Sequence, residues 1–432
     1  MAQHDEDSLP PIGLGYIATN LKMLGHDVRL IDAVANNNTV SELLDMIGEF
    51  HPDVVAVNIF TTNYNLTKEL IESIKDPSIK VIVGGLSTRT LYKDIFKWET
   101  KNHIDVVFGD GELITGELIS GTESELPKES TAFRRFFYVN CESIYFVKDI
   151  STVPLDRSFF INEPLINHSG FKEVSIVTNR GCKNNCTFCA AARSRNSDLP
   201  IREMTEESVA RDIEDIRKRY KDVTHIRVLD DLFLGNSQSV DKAARIFSHF
   251  NFKWRAMAHI QTFNGISYDK IKALYDSGCR ELFIGVESGS PKILKKIHKT
   301  HDIAIIKNSL GSIMDAGIGL KIYFVYGFPQ EKREDFEQTY QLAIDLKNLA
   351  IKKGVALRTS VFQFRPYHGT EIYDELVSAN KDFDAKAIHS NNELSSSAER
   401  AQFNFTSGNY SAEDECIVRE FINKTMSLGE EN

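Results

Sequence analysis

Three cysteines stand close together in Thr178-Asn-Arg-Gly-Cys182-Lys-Asn-Asn-Cys186-Thr-Phe-Cys189, with the spacing CxxxCxxC. Their thiolates are soft ligands suited to zinc, copper(I) or iron–sulfur clusters. A structural zinc site takes four ligands, often from two separated CxxC pairs, and no second pair occurs here. The other cysteines, Cys141, Cys279 and Cys416, stand singly. A disulfide framework does not suit a chain of 432 residues with six cysteines that opens Met-Ala-Gln-His-Asp-Glu-Asp, with neither a basic nor an apolar leader. A 4Fe–4S cluster is ordinarily held by four thiolates. Three would leave one iron open to bind something reactive. The triplet therefore points to a three-cysteine iron–sulfur site, with a metal site of another kind as the competing reading.

The elements that must position this loop fall into two α/β segments. The first runs from about residue 10 to 120. Leu14, Ile17, Leu21 and Leu24 share a helical face that Gly25 ends, and Val40 to Phe50 makes a second amphipathic helix. Val28–Ile31, Val54–Phe60, Lys80–Val83 and Ile104–Phe108 read as strands, with a helix through Leu66, Leu70 and Ile74. Short apolar strands alternating with helices predict a doubly wound parallel sheet, whose ligands lie at the carboxyl ends of the strands. Thr61, Thr62, Gly84, Gly85, Gly109 and Gly111 stand at those ends, small enough to let a large ligand approach.

Residues 121–171 lose this rhythm. The β-like runs Phe136–Val139 and Ser143–Val147 suggest a connecting hairpin and linker. A second alternation then follows. Its candidate strands are Glu173–Thr178, His225–Leu229, Lys253–His259, Glu281–Val286, Leu320–Val325 and Leu357–Phe364, with helices such as Glu206–Tyr220 between them. Six strand–helix units predict a partial (β/α)6 barrel over 172–377, with the cysteine loop at the mouth after its first strand. Residues 378–432 read as a polar C-terminal region with one docking helix.

Further motifs end the later strands: Leu229-Asp230-Asp231-Leu232-Phe233, Gly285-Val286-Glu287-Ser288-Gly289-Ser290, Tyr326-Gly327-Phe328-Pro329 and Pro366-Tyr367-His368-Gly369-Thr370. With the cysteine run they resemble the radical S-adenosylmethionine (SAM) superfamily over residues 10–375. The segment 1–120, with Pro10-Pro11-Ile12-Gly13-Leu14 and Val83-Gly84-Gly85, is similar to the cobalamin-binding subgroup. The resemblance implies a 4Fe–4S cluster on Cys182, Cys186 and Cys189, whose open iron binds SAM and cleaves it to methionine and a 5′-deoxyadenosyl radical. It implies SAM contacts from Asp230, Asp231, Glu287, Ser288 and Gly327, with Arg180 offsetting local negative charge. Cobalamin would lie along Thr61, Thr62, Gly84, Gly85, Gly109 and Gly111. Two departures stand out. His368 replaces the second proline of the usual Pro-Tyr-Pro-Gly-Thr, and residues 1–8 are too polar for the apolar strand that normally opens such a domain. No Asp-x-His-x-x-Gly motif offers a lower cobalt ligand.

The resemblance implies an enzyme that abstracts hydrogen from a small, natural-product (antibiotic) type of substrate and transfers a methyl group to carbon. The alternatives are a radical dehydratase, epimerase or rearrangement enzyme without methyl transfer and with cobalamin structural or absent, or an iron–sulfur redox or binding protein without radical chemistry. An external one-electron donor such as flavodoxin or ferredoxin is implied. A net charge of −10 argues against nucleic acid, no apolar run approaches a membrane span, and the cytoplasm is the expected compartment. His103, His225 and His259 show no metal spacing. Tyr323, Tyr326, Phe364 and Tyr367 at late strand ends read as core residues or pocket lining.

Overall fold

The computed structural model describes residues 9–122, 128–131, 134–137, 146–380, 383 and 409–430. The chain divides into two compact units. Residues 188–202 and 366–380 group with the first unit and 409–430 with the second.

The first unit runs α1 (Ile12–Met23), α2 (Val40–Phe50), β1 (Val54–Asn58), α3 (Tyr64–Ser73), β2 (Lys80–Gly84), α4 (Thr88–Ile95), β3 (Ile104–Val107), α5 (Ile114–Ser120), β4 (Lys128–Thr131) and β5 (Arg134–Phe137). The sheet order is β1-β2-β3-β5-β4, parallel except for the β4–β5 hairpin. Alternation along β2 sends Val81 and Val83 into one buried cluster with Ile71, Leu91, Trp98 and Val106, and Ile82 into another with Val107, Ile114 and Leu118. Both faces are thus covered, as a parallel sheet requires. Thr39 starts α2 with a capping box to Glu42.

Two expectations are corrected. Val28–Ile31 forms no strand. A strand persists only in a ladder, and no described strand stands beside β1 on the side away from β2. The hairpin between the two segments is Lys128–Phe137, and β5 pairs in parallel with β3, so it extends the first sheet and is not a separate linker. Of the run Ser143–Val147, residues 143–145 lie outside the described residues, as do 138–139 of the other, and 146–147 are not strand.

In the second unit a short β6 (Leu165–Ile166) precedes β7 (Lys172–Ile176). β8 (Asn179–Arg180) leads into the cysteine loop and β9 (Arg202–Glu203) leads out of it. Then follow α6 (Glu206–Arg219), β10 (His225–Val228), α7 (Ser237–Ser248), β11 (Lys253–Ala258), α8 (Ile260–Phe263), α9 (Tyr268–Asp276), β12 (Cys279–Glu287), α10 (Pro291–Lys296), α11 (Ile303–Asp315), β13 (Gly319–Tyr326), α12 (Arg333–Lys353) and β14 (Leu357–Gln363). α13 (Glu371–Ala379) falls in the segment grouped with the first unit, and α14 (Glu415–Glu430) returns to the second. Strands β7, β10, β11, β12, β13 and β14 pair in parallel and in chain order, forming the curled half-barrel sheet that six strand–helix units imply.

Ile226, Val228, Trp254, Leu282, Ile284, Leu320, Ile322 and Phe324 alternate onto the apolar face and are buried. The opposite face is polar. Arg255 reaches Glu173 at 2.6 and 2.7 Å and Glu281 at 3.2 Å, while Arg358 holds Glu281 at 2.8 Å. Burial would raise the Glu281 carboxyl, but Arg358 and Arg255 hold it below its ordinary pKa. α14 covers β13 and β14: Tyr326 Oη lies 2.7 Å from Thr425 Oγ1, and Phe421 stacks on Tyr326. Tyr326 and Phe364 are therefore core residues.

Candidate iron–sulfur, SAM and cobalamin sites

Because the six barrel strands are parallel, the segments after β7, β10, β12 and β13 emerge at one end of the sheet. They carry Cys182, Asp230–Asp231, Glu287–Ser288 and Gly327 respectively. The Asp230 side chain is tied to the segment before the cysteines. It accepts from Thr178 N–H (2.6 Å), Thr178 Oγ1–H (2.5 Å) and Asn179 N–H (3.0 Å). Burial still raises its pKa to about 7. Asp231 accepts from Gly181 N–H at 3.0 Å, directly before Cys182. The two aspartates thus brace both sides of the turn from which the cysteine loop starts.

Cys182, Cys186 and Cys189 are each half-buried. Burial raises the pKa of Cys182, with Asn184 N–H and Lys299 pulling it down and Asp231 pushing it up. Burial also raises Cys186, against Lys299 and together with Glu287 and Cys182. No three histidine, cysteine or carboxylate side chains among the described residues converge on one point as a single metal ion requires. The donor set of the loop is sulfur alone, three thiols within eight residues, so the residues fit an iron–sulfur cluster.

Glu287 ends β12 at an irregularity in the ladder with φ of 70°, a left-handed backbone unusual for a side chain of its kind. Its Oε1 lies 3.1 Å from Lys299 Nζ, and both side chains are 9% exposed, so the pair is almost out of water. Ser288 is fully buried. Its Oγ lies 3.0 Å from Thr339 Oγ1 and accepts from Ser290 N–H, so it docks the turn onto α12. Gly327 takes φ of 93°, and its N–H and that of Phe328 donate to Oε2 of the buried Glu331. Burial lowers the pKa of His259 to about 4, helped by Lys299 and Lys183, so this imidazole at the end of β11 is neutral at pH 7.

Lys299 and Glu331 were not found from the sequence. Lys299 sits in a turn between two helices with no spacing that links it to a cysteine. The glutamate is four residues past Gly327 and reads as a surface helix start.

In the first unit, Thr61 and Thr62 follow β1, Gly84 and Gly85 close β2, and Gly109 and Gly111 follow β3, again at one end of a parallel sheet. Thr61 is buried. Its Oγ1 lies 2.9 Å from His368 Nδ1 and accepts from His368 N–H at 3.1 Å. A Cβ on Gly84 would meet nothing within 4 Å, so that strand end faces open space. Gly85 is different: φ is 109°, and a Cβ would lie 2.1 Å from Asn58 Oδ1 and 2.7 Å from Ile59 O, so only glycine fits. Gly111 packs against Ile17. Two large apolar side chains follow these strands in the open, Phe60 (36% exposed) and Leu86 (57%). Small residues, space and exposed apolar groups at the sheet's ligand-binding end fit a broad, flat corrin ring.

Residues 176–343 match the radical SAM superfamily and residues 3–119 the B12 binding domain. An uncharacterized methyltransferase of Pyrococcus horikoshii, PH0819, is 26% identical over 384 residues, covering 86% of this chain and 79% of that one. The methyltransferase TsrM from Kitasatospora setae, solved with cobalamin and a [4Fe-4S] cluster, superposes with a TM-score of 0.65 at 14% identity, over 97% of this chain and 88% of that one. The cobalamin-dependent SAM radical enzyme OxsB with aqua-cobalamin gives 0.63 at 17%, over 87% of this chain and 54% of that one, so this chain spans about half the length of OxsB. At such identities these two structures show the fold. No helix among the described residues is long and apolar enough to cross a membrane. The chain thus carries a B12-binding domain followed by a radical SAM domain, and its cofactors are a 4Fe–4S cluster, SAM and cobalamin.

Proposed function

We propose that this protein is a cobalamin-dependent radical SAM methyltransferase that acts on an unactivated carbon of a small, natural-product type of molecule. The observation that carries this reading is the pairing of two sites in one chain: the three-cysteine loop braced by Asp230 and Asp231, and the open, small-residue end of the first sheet. The likeness to PH0819 and to TsrM, both named methyltransferases, supports the methyl-transfer outcome. When bound, the cluster and SAM supply one-electron bond cleavage and cobalamin supplies methyl-group chemistry.

Within this reading Cys182, Cys186 and Cys189 hold the cluster. Asp230 and Asp231 fix the entry to their loop, beside which SAM binds. Glu287 accepts from the ribose hydroxyls, Ser288 anchors the turn that carries Glu287, and Gly327 leaves room for the nucleoside. Thr61, Thr62, Gly84, Gly85, Gly109 and Gly111 line the corrinoid. The electron comes from an external donor of the flavodoxin or ferredoxin kind.

The test is anaerobic purification with added hydroxocobalamin, an absorption spectrum, and then analysis of SAM-derived products. Corrinoid bands beside the broad absorption of the cluster, with one S-adenosylhomocysteine formed per turnover, are expected. A cluster without corrinoid, yielding only 5′-deoxyadenosine, would replace methyl transfer by a radical dehydration, epimerisation or rearrangement.

A further inference from the structure

The turn between α10 and α11 clasps the cysteine loop at successive residues. The Ile297 carbonyl accepts from Thr187 N–H at 3.3 Å. His298, held at φ 58°, donates from Nδ1–H to the Asn185 carbonyl at 3.0 Å. Lys299 then turns its ammonium to Glu287. The seat of that carboxylate is cut to size, since a Cβ on Gly285 would lie 2.0 Å from Glu287 Oε1 and 3.1 Å from Lys299 Nζ. One nearly dry cation therefore stands on the Glu287 carboxylate, in the turn that clasps the residues on either side of Cys186.

We propose that Lys299 is a positioning residue of the cluster site: it holds the Glu287 carboxylate in the place from which that carboxylate meets SAM, and it offsets the negative charge gathered at the cysteine loop. The proposal rests on the iron–sulfur and SAM reading above. A carboxylate out of water needs a partner, and without Lys299 it repels the thiolates nearby. A cation beside a cluster favours the state carrying one more electron, so it raises the reduction potential.

Wild type, K299Q, K299R, E287Q and the K299Q/E287Q double variant are reconstituted anaerobically. Iron content, midpoint potential by EPR-monitored titration and SAM affinity by equilibrium dialysis are measured for each. K299Q is expected to bind SAM about ten-fold more weakly, the loss of one charge-assisted contact, and to show a more negative midpoint potential. K299R restores both. In the E287Q background the affinity loss on removing Lys299 disappears, while the potential shift remains. Unchanged affinity and potential in K299Q would overturn the proposal. So would K299R as damaged as K299Q, or iron lost equally from both, which would make Lys299 a folding residue. A wild-type protein that takes up no 4Fe–4S cluster, or binds no SAM, fails the underlying reading first and takes this proposal with it.

Discussion

Glu331→Gln separates the charge of a buried carboxyl from its shape. Glu331 is wholly buried. Its Oε2 accepts from Gly327 N–H at 2.7 Å and Phe328 N–H at 2.9 Å, while Oε1 has no hydrogen-bond partner among the described residues. Burial raises its pKa from 4.5 to about 8, against the pull of the two amides. The folded state thus holds this proton more tightly than the unfolded chain. The stability supplied by protonation is complete below pH 4.5 and is lost as pH rises through about 8. Each pH unit within that window is worth about 1.4 kcal/mol, so moving from pH 5 to pH 9 costs the wild type about 4 kcal/mol through this one group. Glutamine keeps an oxygen for both amides and does not titrate. Urea unfolding of both proteins at pH 5, 7 and 9, followed by circular dichroism, therefore shows the variant gaining about 4 kcal/mol on the wild type across the range. Parallel pH profiles would refute the reasoning, because they would mean that the carboxyl is solvated or already paired.

Asp230→Ala removes the shared acceptor of Thr178 N–H, Thr178 Oγ1–H and Asn179 N–H. At about 1–3 kcal/mol for each buried donor left unmade, stability falls by about 3 kcal/mol or more, and reconstituted iron falls with it, read by urea unfolding and iron analysis. Gly84→Leu meets open space and leaves the melting temperature unchanged, yet it blocks cobalamin uptake measured by absorption; Gly85→Ala clashes with Asn58 and Ile59 and lowers the melting temperature. Tyr326→Phe leaves the Thr425 hydroxyl without its 2.7 Å partner and costs about 1 kcal/mol in urea unfolding, with no change in cluster absorption.

The barrel was legible because each strand is a short apolar run that ends in a distinctive motif, and six such runs in order leave one parallel arrangement. The cysteine loop was legible from its ligands alone. Neighbours in space but not in sequence were hidden. Lys299 comes to the cysteines only through the fold of a turn more than a hundred residues downstream, and the partnership of Arg255 with Glu173 and Glu281 spans three strands. The Asp230 pair was visible as chemistry, but nothing in Leu229-Asp230-Asp231 reveals that one carboxylate is occupied by Thr178 and Asn179. Val28–Ile31 has the composition of a strand and fails to be one, because strand formation depends on a neighbour that local composition does not report.

The helix over β13 and β14 also bears on biosynthesis. Residues 415–430 supply Thr425 and Phe421 to Tyr326 and Phe336, fifty residues and more beyond the last strand. A nascent polypeptide halted just after β14 would have every strand of the sheet and still present a wet aromatic flank, open to chaperones and proteases until translation has passed that point.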